Sequence, residues 1–409
     1  MHESDAETVR RREFLQAGAM VGATALTLGA ATTRAGDEAA SKTLVPTRKL
    51  GRTGVDVSIL NQGTWQSPSL DRLVRFAYAS GVRYYDTAKS YRSEPGLAKW
   101  FRSAPEVRKS IFLVTKDSPR TPGELVGMLD QRLEALQVDH VDMIFVHALG
   151  DHHTVDEAVE FAGGAEFKRV ADAIRKSGKA RLVGFSTHNK DRDKIIAAAA
   201  KGGFVDAIMV QNTAWLDKDT PLNRALDAAH KAGIGLISMK QIAGPKPENF
   251  LAEVPKKAPD LIAKGLTPFG ALLHAIWSDE RFSSCCVSMR NTDQTRENTR
   301  AAKMFAGPLK KAEIDALRGA FLASHPSLCA DCDGRCSIAG GTKASLGDLT
   351  RYLTYYERHG LRGEARRAFA GLPAEARDWQ GADLAAAREA CPSKLDFAAL
   401  LPRADRDLA

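Results

Sequence analysis

The sequence predicts an α/β protein, a (β/α)8 barrel of the TIM type with a small C-terminal helical, cysteine-containing extension, and three observations lead there. Short apolar runs alternate with helix-periodic stretches eight times before about Ala306. The alternation occupies about 250 residues, the usual size of such a barrel. A doubly wound open sheet also alternates strand and helix, but no G-x-G-x-x-G follows the first run, which ends in NQGTWQSPS.

The expected strands are Val57 to Gly63, Arg83 to Asp86, Ile111 to Lys116, Met143 to His147, Arg181 to Ser186, Ala207 to Gln211, Gly235 to Lys240 and Cys285 to Ser288. Between them, apolar residues recur three or four apart. Leu125, Met128, Leu129, Leu133 and Leu136 form one such stripe and would bury one helical face. Gly81, Gly233 and Gly235 punctuate helix ends where the chain turns into a strand. Beyond Ala306 the rhythm stops, and short helical stretches at Leu346 to Gly360, Arg362 to Gly371 and Ala374 to Ala390 form the extension.

Of 409 residues, 44% are hydrophobic and 26% charged, an ordinary globular balance that argues against disorder. The net charge is +8, but Arg and Lys are spread along the chain and not interleaved with aromatics. Nucleic-acid binding is therefore not expected, and a phosphate-rich cofactor accounts for the basicity. At the N-terminus, Arg10, Arg11 and Arg12 precede Glu13-Phe14-Leu15-Gln16, and an uncharged run follows from Ala17 to Ala31. That run is shorter than the roughly 20 residues a bilayer span needs. The segment resembles a twin-arginine export signal, with a small-residue cleavage candidate at Thr33-Arg34-Ala35. The resemblance implies export to the periplasm or cell envelope, with no stable membrane span unless the signal stays uncleaved. The expected division is a signal over 1–35, a linker over 36–46, the barrel over 47–306 and the extension over 307–409.

Catalytic groups of such barrels project from the C-terminal ends of strands. Here Asp86 ends the second strand, Tyr91 follows in its loop, Lys116 ends the third and His147 ends the fourth. With these residues and the segments RKLGRTGVDVS, YYDTAKSY, VTK, FVH, GFSTHN and SMRNTDQTREN, the chain resembles the aldo/keto reductase superfamily over about Thr47 to Lys303. The resemblance implies hydride transfer between a nicotinamide and a carbonyl or alcohol substrate. Reduction leaves an alkoxide that must receive a proton, so Tyr91 is expected as the acid. Lys116 is expected to lower the phenol's pKa, Asp86 to hold Lys116, and His147 to donate a hydrogen bond to the carbonyl oxygen. The family pattern also implies cofactor contacts at Gly63, Thr64, Ser186 and Gln211. It further assigns Arg290 to an adenosine 2′-phosphate and Gln294 and Asn298 to adenine, which favours NADP(H) over NAD. His188 is either a substrate-side donor or an ordinary loop histidine. The alternative to an enzyme is a barrel kept as a binding or electron-transfer module.

The stretch SLCADCDGRCSIAGG crowds Cys329, Cys332 and Cys336 together, and Cys391 stands before Pro392. Some branches of the family carry a ferredoxin-like C-terminal extension. That resemblance implies one [4Fe-4S] cluster on Cys329, Cys332, Cys336 and Cys391, and with it an envelope redox partner. Zinc accepts the same four thiolates, and disulfides suit an exported protein, so all three stay open. Cys285 and Cys286, adjacent in the last strand, face opposite sides and are expected to pack.

Overall fold

The computed structural model describes residues 44–409 apart from 68–69, 190, 217–219, 242–246, 325–326, 328, 330–333 and 358–360. The signal over 1–35, most of the linker and Cys332 lie outside the described residues.

The first two strands, β1 (Thr47–Lys49) and β2 (Asp56–Ser58), form an antiparallel hairpin. The next eight are β3 (Leu60–Gly63), β4 (Tyr84–Asp86), β5 (Phe112–Asp117), β6 (Val141–Val146), β7 (Ala180–Thr187), β8 (Ala207–Gln211), β9 (Gly235–Met239) and β10 (Phe282–Val287). All eight run parallel in chain order, and β10 pairs with β3 to close a barrel. Closure leaves no unpaired strand edge, and the helices between strands cover the outside.

Side-chain alternation then separates two cores. Inward positions such as Tyr84, Phe112, Val114, Met143, Phe145, Leu182 and Met209 fill the barrel. Outward positions such as Leu113, Ile144, Val183 and Ile208 pack under the helices. Leu50 and Val57 belong to the inner group, so the hairpin plugs the end of the barrel opposite the strand C-termini. The fit is close: Gly51 adopts φ 51°, and a Cβ there would lie 2.3 Å from the Gly233 carbonyl oxygen. Only glycine satisfies both requirements.

Two expected strands differ from those observed. Val57 to Gly63 splits at Ile59, because residues up to Ser58 pair with the hairpin and only Leu60 onward enters the barrel. The last strand begins at Phe282 and not at Cys285. Ser283 and Ser284 interrupt the apolar run, yet they are buried, and their hydroxyls donate to the Lys49 and Ser58 carbonyls at 2.8 Å each.

After the barrel, the helix Lys311–Ser324 places Leu317 and Phe321 against Phe250, Leu261 and Ala271 on the barrel's outside. A separate small core follows, in which Leu346, Leu349, Leu353, Phe369, Phe397 and Leu401 surround Cys336 and Cys391. Arg318 joins the two regions by donating to the Pro392 carbonyl at 2.8 Å. Among the described residues no helix is long and apolar enough to cross a membrane.

Candidate active site

Parallel strands bring their C-terminal ends to one rim, and the four residues expected there meet on it. Asp86 closes β4, Lys116 lies in β5, and His147 directly follows β6. Tyr91 ends the short 3-10 turn Lys89–Tyr91; Arg92 then takes a left-handed φ of 56°, and the helix Glu94–Ser103 begins. The Lys116 ammonium donates to Asp86 Oδ1 and, at 3.0 Å, to the Thr87 carbonyl. Lys116 is 0% and Asp86 1% exposed, so neither charge has water as a substitute partner. The Lys116 Nζ lies 5.0 Å from the Tyr91 ring centroid. The Tyr91 and His147 rings meet edge-on, centroids 5.4 Å apart at 90°. Both rings therefore border one point above the ion pair.

Burial governs the protonation states. It opposes the Lys116 charge, but Asp86 and Tyr91 more than offset this, and the ammonium is held above its ordinary value. The Asp86 carboxyl is pushed up by burial while Lys116 pulls the other way. His147 is driven down to about 3, by burial first and then by Lys116, His188 and Lys240. Its imidazole is thus neutral at pH 7 and keeps one N–H to donate. For Tyr91 the lysine acts in the expected direction but does not prevail. Burial raises the phenol above its usual value, and Lys116 lowers it by less, with Asp86 working against the lysine. Lys116 is the strongest of the influences that favour the ionised phenol, and burial outweighs it. The Tyr91 phenol is therefore protonated at neutral pH.

A second buried charge network, not foreseen from the sequence, holds the Tyr91 turn from behind. Arg132 donates to Glu94 Oε2 at 2.8 Å, and Thr115 donates to Glu94 Oε1 at 2.7 Å. Arg132 also lies 3.3 Å from Asp117, whose other oxygen is 3.7 Å from Lys89. The helix after Tyr91 is thereby tied to the strand that carries Lys116. These charges are far apart in sequence, and only the spacing YxxE hinted at Glu94.

The expected cofactor residues divide into groups. Gly63 pairs with Asp86 across β3 and β4, and a Cβ on it would lie 2.9 Å from Ser288 Oγ and 3.2 Å from Cys286 Sγ. The last strand and the residue after it thus leave no room for a side chain at this point of the rim. Thr64 is buried and committed to the fold: its backbone N–H and hydroxyl both donate to the Asp86 carbonyl at 3.0 Å. Ser186 Oγ accepts from the Ala148 N–H at 3.0 Å, and Gln211 ends β8, half-buried. Arg290 is exposed, with its guanidinium 5.3 Å from the Trp65 ring centroid. Gln294 spends its side-chain oxygen on the Arg290 N–H at 2.8 Å, and Asn298 is buried on the inner side of the helix Thr292–Met304. His188 stands 3.5 Å from Asp151 and contributes to the field on His147.

Cys285 and Cys286 do face opposite ways, but Cys286 faces into the barrel. It packs with the inner group beside Gly63, and its thiol is pushed well up by burial and Asp86. Such a thiol is no nucleophile.

In the C-terminal core, Cys336 lies on the helix Arg335–Ala339 and Cys391 follows the helix Leu384–Ala390, both buried. Cys329 is half-buried, 3.6 Å from an Arg351 guanidinium nitrogen. Among the described residues no three His, Cys, Asp or Glu side chains are grouped so as to hold a metal ion. Cys332 lies outside them.

Residues 59–260 match the model of the aldo/keto reductase family. The chain is 23% identical over 224 residues to L-glyceraldehyde 3-phosphate reductase of Escherichia coli, covering 48% of this chain and 61% of the relative. It is 29% identical over 101 residues to NADP-dependent D-sorbitol-6-phosphate dehydrogenase of Malus domestica, covering 23% and 33%. It is also 26% identical over 159 residues to an aldo-keto reductase of a Mycobacterium species, covering 38% and 54%. The chain thus spans between a third and three fifths of the length of these relatives. Residues 59–260, which carry the four polar residues of the rim and seven of the eight parallel strands, are thus similar in sequence to the aldo/keto reductase family.

Proposed function

We propose that this chain is an NADP(H)-dependent oxidoreductase that interconverts a carbonyl compound and its alcohol. The observation that carries the reading is the convergence of Asp86, Tyr91, Lys116 and His147 on one rim, with Tyr91 protonated and His147 neutral. The nicotinamide, when bound, supplies or accepts the hydride. His147 donates a hydrogen bond to the substrate oxygen and orients the carbonyl. Tyr91 gives its phenol proton to that oxygen as charge develops, so the product leaves as a neutral alcohol. The Lys116 ammonium, held by Asp86, stabilises the tyrosinate left behind.

Gly63, Thr64, Ser186 and Gln211 would hold the nicotinamide end, and Arg290, Gln294 and Asn298 the adenosine end. The exposed guanidinium of Arg290 supports NADP(H), since a 2′-phosphate would make charge-assisted bonds to it. Fluorescence titration together with aldehyde-dependent NADPH oxidation tests the reading. Arg290→Ala should weaken NADPH binding roughly 10- to 100-fold, the loss of one or two charged hydrogen bonds, and leave NADH binding almost unchanged. Absence of NADPH binding by the purified full chain would instead favour a binding or electron-transfer module.

We also propose that Cys329, Cys332, Cys336 and Cys391 hold one [4Fe-4S] cluster in an exported protein and exchange electrons with an envelope partner. The burial of Cys336 and Cys391 in one small core supports this. Protein recovered from an envelope fraction should carry about four irons per chain and a broad visible absorbance. Colourless protein with one zinc, or with cysteines oxidised to disulfides, would replace the cluster, and recovery from the cytosol alone would sink the export route.

A further inference from the structure

We infer that the cavity at the N-terminal pole of the barrel binds a small organic carboxylate, an anion with an apolar body, at a site separate from the reacting centre. The cavity has a volume of about 540 Å3, a size that suits a small organic ligand. Its wall joins the hairpin strand β2 to the entry ends of four barrel strands: Arg83 precedes β4, Phe112 opens β5, Val141 opens β6 and Arg181 lies second in β7. Lys116 stands four residues beyond Phe112 on β5, about 13 Å along the strand. A ligand held here lies at the opposite end of the barrel from Tyr91 and from the residues assigned to the cofactor.

Charge on this wall is unbalanced. Asp142 is fully engaged: Arg108 donates to it at 3.0 Å, Arg181 at 2.8 Å and the Leu113 N–H at 2.8 Å. Two guanidinium groups thus share one carboxylate. The other acid of the wall, Asp56, takes the Lys49 ammonium at 2.8 Å. Arg83 donates one terminal nitrogen to the Tyr78 and Val82 carbonyls at 2.7 and 2.9 Å, and Lys109 is exposed. Among the described residues neither Arg83 nor Lys109 pairs with an acid. Arg108 is 8% exposed, and its Nε is buried without a hydrogen-bond partner. A concave wall with surplus cations and no acid left over concentrates anions.

The floor of the cavity decides what the anion carries. Val57, Ile111, Phe112 and Val141 line it, with Val55 half-buried beside them. A bare oxyanion would meet the cations and leave that apolar floor uncovered. A carboxylate on an apolar body uses both, and the burial of its body adds to the charge-assisted contacts. Because the wall is shared by β2 and four barrel strands, such a ligand also ties the hairpin plug to the barrel.

Benzoate tests the class against benzamide, which has the same body without the charge, and inorganic phosphate, which has charge without the body. With excess NADPH on the full chain, benzoate should raise Tm saturably, by roughly 5–11 °C at a hundredfold excess over its Kd. Benzamide and phosphate should each bind at least tenfold more weakly, and Lys109→Met should weaken benzoate at least fivefold. Benzoate should also protect Lys109 from acetylation, read by peptide mass, whereas NADPH alone should not. Lys109 is exposed and far from the reacting centre, so Lys109→Met should match the wild-type Tm without ligand, which verifies that the variant folds. Benzamide or phosphate binding as tightly as benzoate overturns the ligand class. Benzoate that leaves Lys109 unprotected, or binds Lys109→Met as tightly as wild type, overturns the site. Absence of saturable benzoate binding overturns both.

Discussion

Replacing Tyr91 by Phe should lower kcat for aldehyde reduction by about 10²- to 10⁴-fold, the usual share of a positioned acid, while the NADPH Kd changes little. The ring keeps its edge-on contact with His147 and loses only the proton donor. Unchanged turnover would remove Tyr91 from the mechanism. The pH profile of the wild type is a companion readout. Reduction needs a protonated phenol, and because burial raises Tyr91 above its ordinary value of about 10, activity should fall only at more alkaline pH. His147, depressed to about 3, is neutral from acid to alkaline conditions, so no inflection should occur near 6.5. An inflection there that vanishes in His147→Gln would show that the imidazole titrates in the working range, contrary to its environment. Folding follows the same sign: the unfolded chain binds this proton more readily, so His147 costs stability progressively as pH falls from about 6.5 toward 3.

Lys116→Met should inactivate the enzyme and destabilise the barrel by roughly 3–5 kcal/mol, because it strands the Asp86 carboxylate in a site that is 1% exposed. At about 2–4 °C per kcal/mol for a domain of this size, Tm should fall by roughly 6–20 °C. The double variant Asp86→Asn/Lys116→Met removes both charges and should regain much of that stability while staying inactive. A single variant as stable as wild type would mean that water reaches Asp86. If instead the double variant were active, the pair would be structural only. Pairing raises the ammonium, so this stabilisation is complete below about pH 10 and is lost only as pH rises through the folded value.

The barrel and its four rim residues were legible because both depend on local rules. Period-2 and period-3.6 patterns mark strands and helices, and parallel order sends every strand C-terminus to the same face. Where long-range contacts intervene, local rules gave less. Ser283 and Ser284 look like a break, yet they are strand residues whose hydroxyls are satisfied by a hairpin more than 200 positions away. The strand expected through Ile59 serves two sheets, a choice made by partners and not by composition.

By itself the sequence determined the fold class and the chain order of the rim residues, and it singled out Tyr91 as the proposed acid, since a phenol following a strand end is a local fact. Only the tertiary structure decided the balance of charges around that acid. It buried Lys116 against Asp86, so that the lysine keeps its proton, and it buried Tyr91 so far that desolvation outweighs the lysine's pull on the phenol. It turned Cys286 inward beside Gly63 and tied the Tyr91 turn to β5 through Glu94, Arg132 and Asp117. The physical reason is common to all of these. Desolvation and Coulomb terms depend on which groups crowd together in three dimensions, and such neighbours are not written along the chain.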